Sequence, residues 1–389
     1  MKSLDELCEF IVDCEHKTAP IQEDGIPSIR TPNIGRGYFI LDGVNRVSDA
    51  TYDAWTRRAI PEPGDLILAR EAPVGNVAVI PDDLKCCLGQ RTVLIRPKRK
   101  DIDADYLCYL LLTPALQADL LGKSGGATVH HLNLKDIRAL PISDLPELDK
   151  QRAQASVIKH YDDLIETNRR RITLLEESAR LLYREWFVNL RFPGYEQSKM
   201  VDGLPVDWAK VPLDDVAFIV MGQSPESQFY NRDGEGLPFH QGVTDFGEHY
   251  VSHKTYTTQT TRTAEAGDIL CSVRAPVGRL NMTSDKISIG RGLSAMRSRA
   301  GQQALLLYQL KALFVEEDMI GGGAIFASVG KKELYAQQLL QPDIETATEF
   351  DRQAGEIIAQ LETLEKQNRL LAQARDELLP KLMSGAIQV

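Results

Sequence analysis

The second half of this chain repeats the first, and that constrains the fold more than any other feature. Gly64-Asp65-Leu66-Ile67-Leu68 returns as Gly267-Asp268-Ile269-Leu270-Cys271, and Ala72-Pro73-Val74-Gly75 returns as Ala275-Pro276-Val277-Gly278. Gly125-Gly126-Ala127 matches Gly322-Gly323-Ala324, and Lys135-Asp136-Ile137 matches Lys332-Glu333-Leu334. Near the start, Leu4-Asp5 with Lys17-Thr18-Ala19-Pro20 corresponds to Leu213-Asp214 with Gln223-Ser224-Pro225. The two copies lie about 200 positions apart in 389 residues. A period of that size is a whole domain, not the unit of a solenoid.

Each copy ends in a stretch almost free of helix breakers. Residues 147–187 contain no Pro or Gly, and 343–379 contain only Gly355. Both are rich in good helix formers. Tyr161, Ile165, Ile172, Leu175, Ala179, Leu182 and Trp186 follow a 4-3 spacing with Asn168 inside it. Phe350, Ala354, Ile357, Leu361, Leu364, Leu371, Leu378 and Leu382 do the same around Asn368. Such heptads predict a coiled-coil pair, each helix about 60 Å long at 1.5 Å per residue. Asn168, Asn368, Leu164 and Leu364 are its expected pairing residues. A polar Asn in the seam costs stability and fixes register, and matched asparagines suit either a parallel or an antiparallel pair meeting at one depth.

The remaining segments alternate short β-branched runs, such as Val77-Ala78-Val79-Ile80 and Thr92-Val93-Leu94-Ile95, with Gly, Pro and Asp turns. Helices are predicted at Ala104 to Leu121 and Gln303 to Val315, and Arg191 to Pro205 reads as an exposed linker. The expectation is an α+β fold with a pseudo-two-fold internal repeat: a mixed domain over 1–146, a central helix over 147–187, a second mixed domain over 188–342 and a C-terminal helix over 343–389.

Composition excludes several classes. The chain is 43% hydrophobic and 26% charged, as globular proteins are. No apolar run reaches 18 residues and the first residues lack a signal-peptide core, so a cytoplasmic protein without a membrane partner is expected. Six cysteines, two of them adjacent and none in a C-x-x-C pair, read as reduced thiols. The net charge of −10 weighs against nucleic acid. Local clusters of Lys and Arg, or a basic partner, can still supply the field that phosphates require.

Taken in order, the motifs resemble the specificity subunit of Type I restriction-modification enzymes over nearly the whole chain. Asp13-Cys14-Glu15-His16-Lys17-Thr18-Ala19 and Gly25-Ile26-Pro27-Ser28-Ile29-Arg30 resemble the opening of a target recognition domain in that family. Gly64-Asp65 with Arg70 and Pro73-Val74-Gly75 resembles its middle. Ala127-Thr128-Val129-His130-His131-Leu132-Asn133 with Leu140-Pro141-Ile142 resembles its exit. Trp186-Phe187-Val188-Asn189 and Arg191-Phe192-Pro193-Gly194-Tyr195-Glu196 resemble the end of the central helical region. The second domain departs from the first, with Gln223-Ser224-Pro225 where the first has His16-Lys17-Thr18.

The resemblance implies two target recognition domains, each reading half of a split site in double-stranded DNA. The paired helices would be a spacer and the docking surface for two methyltransferase subunits, with a motor-nuclease restriction subunit where one joins. It implies no cofactor on this chain: S-adenosylmethionine, ATP and Mg²⁺ belong to those partners. Half-sites about 34 Å apart, one DNA turn, present the same face to both modules.

Arg and Lys read guanine, and Asn and Gln read adenine. The candidate DNA-binding residues of the first domain are His16, Lys17, Thr18, Arg30, Asn33, Arg36, Arg70, Gln90, Arg91, Lys123 and His130. Those of the second are Gln223, Ser224, Gln241, Arg274, Arg279, Arg291 and Lys331. Lys98-Arg99-Lys100 reads as solvated or phosphate-facing. No catalytic or metal-ligating residue is expected. Gly122-Lys123-Ser124 lacks the leading glycine of a phosphate-binding loop, since position 117 is Gln. No glycine-rich methyltransferase turn and no G-x-S-x-G elbow is present. Two alternatives stay open: a non-catalytic coiled-coil adaptor, and a metal-dependent nuclease using Asp65 with Asp83-Leu84-Lys85.

Overall fold

The computed structural model describes residues 1–124, 131–143, 145–315 and 328–389. Its contacts divide the chain into two units, 1–168 with 367–389, and 169–366. Both long helices, Leu148–Tyr183 and Ile344–Met383, therefore give one half to each unit.

Unit 1 is built on a four-stranded antiparallel sheet in the order Cys8–Asp13, Thr92–Pro97, Leu66–Ala69, Val77–Val79. A second sheet orders Arg46–Val47, Ile26–Ile29 and Cys87–Leu88, the last two parallel. The helix expected over Ala104 to Leu121 is broken into Ala104–Leu111 and Pro114–Lys123. Pro114 is the reason: it forces Thr113 into an extended conformation and opens the next helix. The core joins Leu66, Leu68, Val93, Ile95, Tyr106 and Leu107 to Ile158 of the first long helix and to Leu379 and Leu382 of the second. The helices run antiparallel here. Gln154 donates to the Leu382 carbonyl (2.8 Å), Arg375 to Asp162 (2.7 Å), and Asn168 Nδ2 to Asn368 Oδ1 (3.0 Å). Leu164, expected in the seam, is instead 52% exposed, and its neighbour Ile165 is buried. The stripe passes through Ile158, Ile165, Asn168 and Ile172, which turns position 164 outward.

Unit 2 repeats the plan. Its four-stranded sheet orders Ala217–Met221, Leu293–Ser298, Ile269–Ser272 and Leu280–Met282. A five-stranded sheet contains the same kind of parallel pair, Leu237–His240 with Ile287–Ile289. The helix Gln303–Val315 follows. Ile172 packs with Leu361 and Leu364. Phe350 lies edge-on to Tyr183, Trp186 and Phe187, so the helix halves are antiparallel here too. The stretch from Arg191 to Pro205 is exposed over most of its length, as its composition suggests, with Phe192 as an anchor inside it. Phe192 is buried against Trp208 with ring centroids 4.7 Å apart, because an aromatic ring beside other rings gains more from burial than a linker gains from solvation.

The repeated Gly-Asp has the same architectural task in both units. Gly64 and Gly267 hold positive φ (83° and 85°), where a side chain would be strained. Buried Asp65 accepts from the Glu62 amide (2.9 Å) and from Arg96 at both oxygens (2.9 and 2.8 Å). Buried Asp268 accepts from the Glu265 amide (2.8 Å) and from Arg297 (2.6 and 3.0 Å). Bidentate arginine uses the lone pairs that a metal would need. All six cysteines are buried and unpaired, and burial pushes the Cys8, Cys86 and Cys271 thiols up to about 12. Among the described residues, no helix is long and apolar enough to cross a membrane.

One contact inside unit 2 ties its loop to both helix halves. His249 Nε2 lies 2.5 Å from Glu176 Oε1, and Nδ1 lies 2.5 Å from Glu365 Oε1. Nδ1 is hydrogen bonded to Glu365 and Nε2 lies in ion-pair contact with Glu176, and two carboxylates against one ring favour the imidazolium. Burial alone would push its pKa down; the hydrogen bonds and charges of Glu176 and Glu365 outweigh that and hold it at about 9. The hydrogen bond from His249 likewise lowers Glu176.

Two expectations follow from these contacts. Asn168→Leu should cost about 1–2 kcal/mol by stranding Asn368, while Asn168→Leu with Asn368→Leu should regain that loss; chemical denaturation midpoints measure both. His249→Gln should cost about 2 kcal/mol at low pH, less than a fully buried pair because Glu176 is partly exposed. A folded-state pKa above the ordinary 6.5 gives stability that is full below that value and lost as pH rises through about 9. The gap between wild type and variant should therefore close over that window in denaturation measured against pH.

Candidate nucleic-acid interface

Antiparallel register sets the geometry of unit 1. Asp13 faces Val93 and Ala69 faces Thr92, so the segments after Asp13, after Ala69 and before Thr92 meet at one end of the sheet. His16, Lys17 and Thr18 are exposed there, as are Arg30 and Arg91, while Gln90 is half-buried. Gly89 donates to the Ile29 carbonyl (2.7 Å), which brings Arg30 against the loop carrying Gln90 and Arg91.

Three expected residues have partners inside the protein. Arg70 is only 6% exposed. It donates to the Leu132 carbonyl (2.8 Å), meets His131 Nε2 at 3.0 Å and pairs with Asp13 at 3.8 Å. A guanidinium with partners on every side stays folded in. Asn33 accepts from the Arg30 amide (3.1 Å) and donates to the Ile40 carbonyl (3.1 Å), so its amide closes a turn. Arg36 reaches the Leu112 carbonyl (2.9 Å). Lys123 ends the helix Pro114–Lys123, exposed. His130 and the Gly125-Gly126 and Gly321-Gly322-Gly323 motifs lie outside the described residues. In the basic run, Lys98 donates to the Glu6 carbonyl (2.8 Å) and Arg99 to the Pro63 carbonyl.

The cations of this end are balanced by acids that the sequence reading passed over. Asp13 takes His16 (2.8 Å) and Arg58, and Glu15 takes Arg58 at 3.7 Å. Glu71 takes Arg91 (2.9 Å) and His131 Nδ1 (2.5 Å). A signal for Glu71 was present: the aligned copies hold Glu71 and Arg274 immediately before the same Ala-Pro-Val-Gly.

Unit 2 forms the same end, with Met221 opposite Ser294 and Ser272 opposite Leu293. It gathers Gln223, Ser224, Gln241 and Arg291. Ser224 donates to Gln241 Oε1 (2.8 Å) and accepts from the Arg291 amide (3.2 Å), and the Gln223 amide donates to the Ile289 carbonyl (3.0 Å). Arg274 and Arg279 are exposed on either side of the Ala-Pro-Val-Gly turn. Lys331 opens the helix Lys331–Tyr335 and lies 4.9 Å over the Tyr335 ring.

The main-chain frame is duplicated bond for bond. Arg70 N reaches Arg91 O at 2.9 Å, and Val273 N reaches Gly292 O at 2.9 Å. Leu132 N reaches Arg70 O at 3.1 Å, and Val329 N reaches Val273 O at 2.9 Å. Gly89 N reaches Ile29 O at 2.7 Å, and Gly290 N reaches His240 O at 2.8 Å. By these bonds Arg30 corresponds to Gln241, Gln90 to Arg291, Arg91 to Gly292 and Glu71 to Arg274 in the other copy. One scaffold thus presents two different sets of donors and acceptors.

The described residues bring one group of possible metal ligands together, Glu248, His249 and Glu365, with ligand atoms within 4.8 Å of one another. His249 and Glu365 stand at hydrogen-bond separation, closer than two atoms sharing one ion at about 2.0–2.2 Å each would stand. The group fits a bridged imidazolium, not a metal centre.

Comparison with known proteins places this frame. The family described as Type I restriction modification DNA specificity domain matches residues 1–177. The type I restriction enzyme MjaX specificity subunit of Methanocaldococcus jannaschii is 30% identical over 84% of this chain and 79% of that protein. The MjaIX specificity subunit of the same organism is 22% identical over 90% of this chain and 84% of that protein. The type-I restriction-modification system S subunit from M. genitalium shares the fold, with a TM-score of 0.63 over 98% of this chain and 95% of that one at 16% identity. Identity, coverage and the duplicated frame agree: this chain belongs to the family of type I restriction enzyme specificity subunits.

Proposed function

We propose that this chain is the DNA-reading, non-catalytic subunit of a type I restriction-modification complex, each mixed domain recognising one half of a bipartite duplex target. The observation that carries this reading is the duplicated main-chain frame with exchanged side chains. A structural adaptor needs only the frame. A reader of two unlike half-targets needs the same loops with different donors and acceptors, as Arg30 with Gln241 and Glu71 with Arg274 provide. Catalysis would come from partners: two methyltransferase subunits holding S-adenosylmethionine, and a restriction subunit with ATP and Mg²⁺ where one joins. Exposed apolar residues on the long helices, Leu164, Leu174 and Leu370 among them, suit a protein partner better than water.

Net charge also argues for a complex. At −10 overall the chain repels a duplex at long range, and its cations at the sheet ends are partly matched by Asp13, Glu15 and Glu71. Basic surface on the methyltransferase would then carry much of the phosphate contact, and this chain the discrimination.

The test is reconstitution with the methyltransferase subunits, followed by mapping of methylated bases and DNA titration at several salt concentrations. A split target is expected, with log affinity falling against log salt by about 0.9 per phosphate neutralised. Replacing residues 1–146 by another recognition domain should change one half of the target only. A flat salt response without sequence preference would establish the adaptor instead.

A further inference from the structure

We infer that Arg91 is the guanine-reading residue of the first domain, and that a relay from Arg70 through His131 and Glu71 positions it. The inference rests on the DNA-reading function above and names how one half-target is discriminated. The relay has three links. Arg70 Nη2 meets His131 Nε2 at 3.0 Å, His131 Nδ1 meets Glu71 Oε1 at 2.5 Å, and Glu71 Oε2 meets Arg91 Nε at 2.9 Å. The donor and acceptor roles admit one arrangement. Arginine can only donate, so His131 Nε2 accepts; ionised Glu71 can only accept, so His131 Nδ1 carries the hydrogen. The imidazole is thus a one-donor, one-acceptor connector between a fixed cation and a carboxylate.

The ends of the relay differ in exposure. The Arg70 side chain is 7% exposed and anchored by the Leu132 carbonyl, whereas that of Arg91 is 59% exposed. Arg91 holds a positive φ of 66°, an unfavourable backbone for a long side chain, and its carbonyl accepts from the Arg70 amide. Its Nε is held by Glu71, so the two terminal nitrogens form the outer edge of the fork. Two parallel donors on a fixed plane match O6 and N7 of guanine in the major groove. Fixing the side chain beforehand removes the entropy cost of ordering it on the DNA. The second domain has Gly292 and Arg274 where the first has Arg91 and Glu71, so this device belongs to one half-target alone.

The experiment uses the full chain with its methyltransferase subunits, the mapped target duplex and a set of duplexes each altered at one base pair. Arg91→Ala should lose discrimination at one G·C pair of one half-target by about tenfold or more, leaving the other half unchanged. Arg91→Lys keeps the charge but not the fork, and should lose the same discrimination with an unchanged salt slope. His131→Ala should lose part of it at the same pair. His131→Gln should restore it, because an amide also offers one donor and one acceptor; melting curves for each variant separate this from misfolding. Equal weakening of all duplexes by Arg91→Ala would make it a phosphate contact and overturn the inference. So would wild-type discrimination in His131→Ala, or no change in any variant. A wild-type complex that binds every duplex alike would instead overturn the DNA-reading function itself.

Discussion

The end of the chain completes the core of its beginning. Leu379 and Leu382, at the close of the second long helix, are buried among Ile158, Tyr106, Leu107 and Ile142 of unit 1. Each such side chain is worth about 1.5–3 kcal/mol in transfer free energy, and the Gln154 bond to the Leu382 carbonyl fixes where they enter. That burial requires the second helix to run antiparallel to the first. Antiparallel pairing in turn places Asn168 beside Asn368, where an unpaired amide would be costly and a paired one sets the register. Unit 1 is therefore discontinuous in sequence by physical necessity.

Within each unit, the buried ion pair and the exposed, divergent loops occupy opposite ends of the same hairpins. The buried Asp–Arg pairs, Asp65 with Arg96 and Asp268 with Arg297, lie at the sheet end opposite to the one where Arg91, Arg291 and their neighbours gather. A carboxylate bonded to two arginine nitrogens and one amide would leave all three donors unpaired if removed, and Gly-Asp is present in both copies. The loops at the other end are held by main-chain bonds. Such bonds are indifferent to side-chain identity, so those positions can diverge without loss of fold.

This division also decides what the sequence made legible. The duplication, the heptads and the helix Gln303–Val315 rest on periodicity and on repeated main-chain requirements, which a single sequence displays. Direction of pairing did not, because matched asparagines satisfy either orientation. Leu164 was misplaced since a seam one residue wide is shifted by a small change of helical phase, and only the contacts of Ile165 and Asn168 settle it. At the candidate site the exposed loop residues could be named by type, but Arg70, Asn33 and Arg36 have partners 62, 7 and 76 positions away in the chain. For Arg70 and Arg36 such long-range pairing has no local pattern. Asp13 and Glu71 were missed because a search for DNA contacts looks for cations and passes over the acids that orient them.

Two histidines show how far partner chemistry, not residue type, sets a site's behaviour. His249 faces a carboxylate at each nitrogen, which favours its charged form and makes it a cationic staple within unit 2. His131 faces a carboxylate at one nitrogen and a guanidinium at the other. A second hydrogen there would point at Arg70, donor against donor, so His131 serves as a directional connector between the two. The same side chain is thus a clamp where charge neutralisation is needed and a spacer where direction matters. At this end of unit 1 the connector leads to Arg91, whose planar guanidinium carries direction as well as charge.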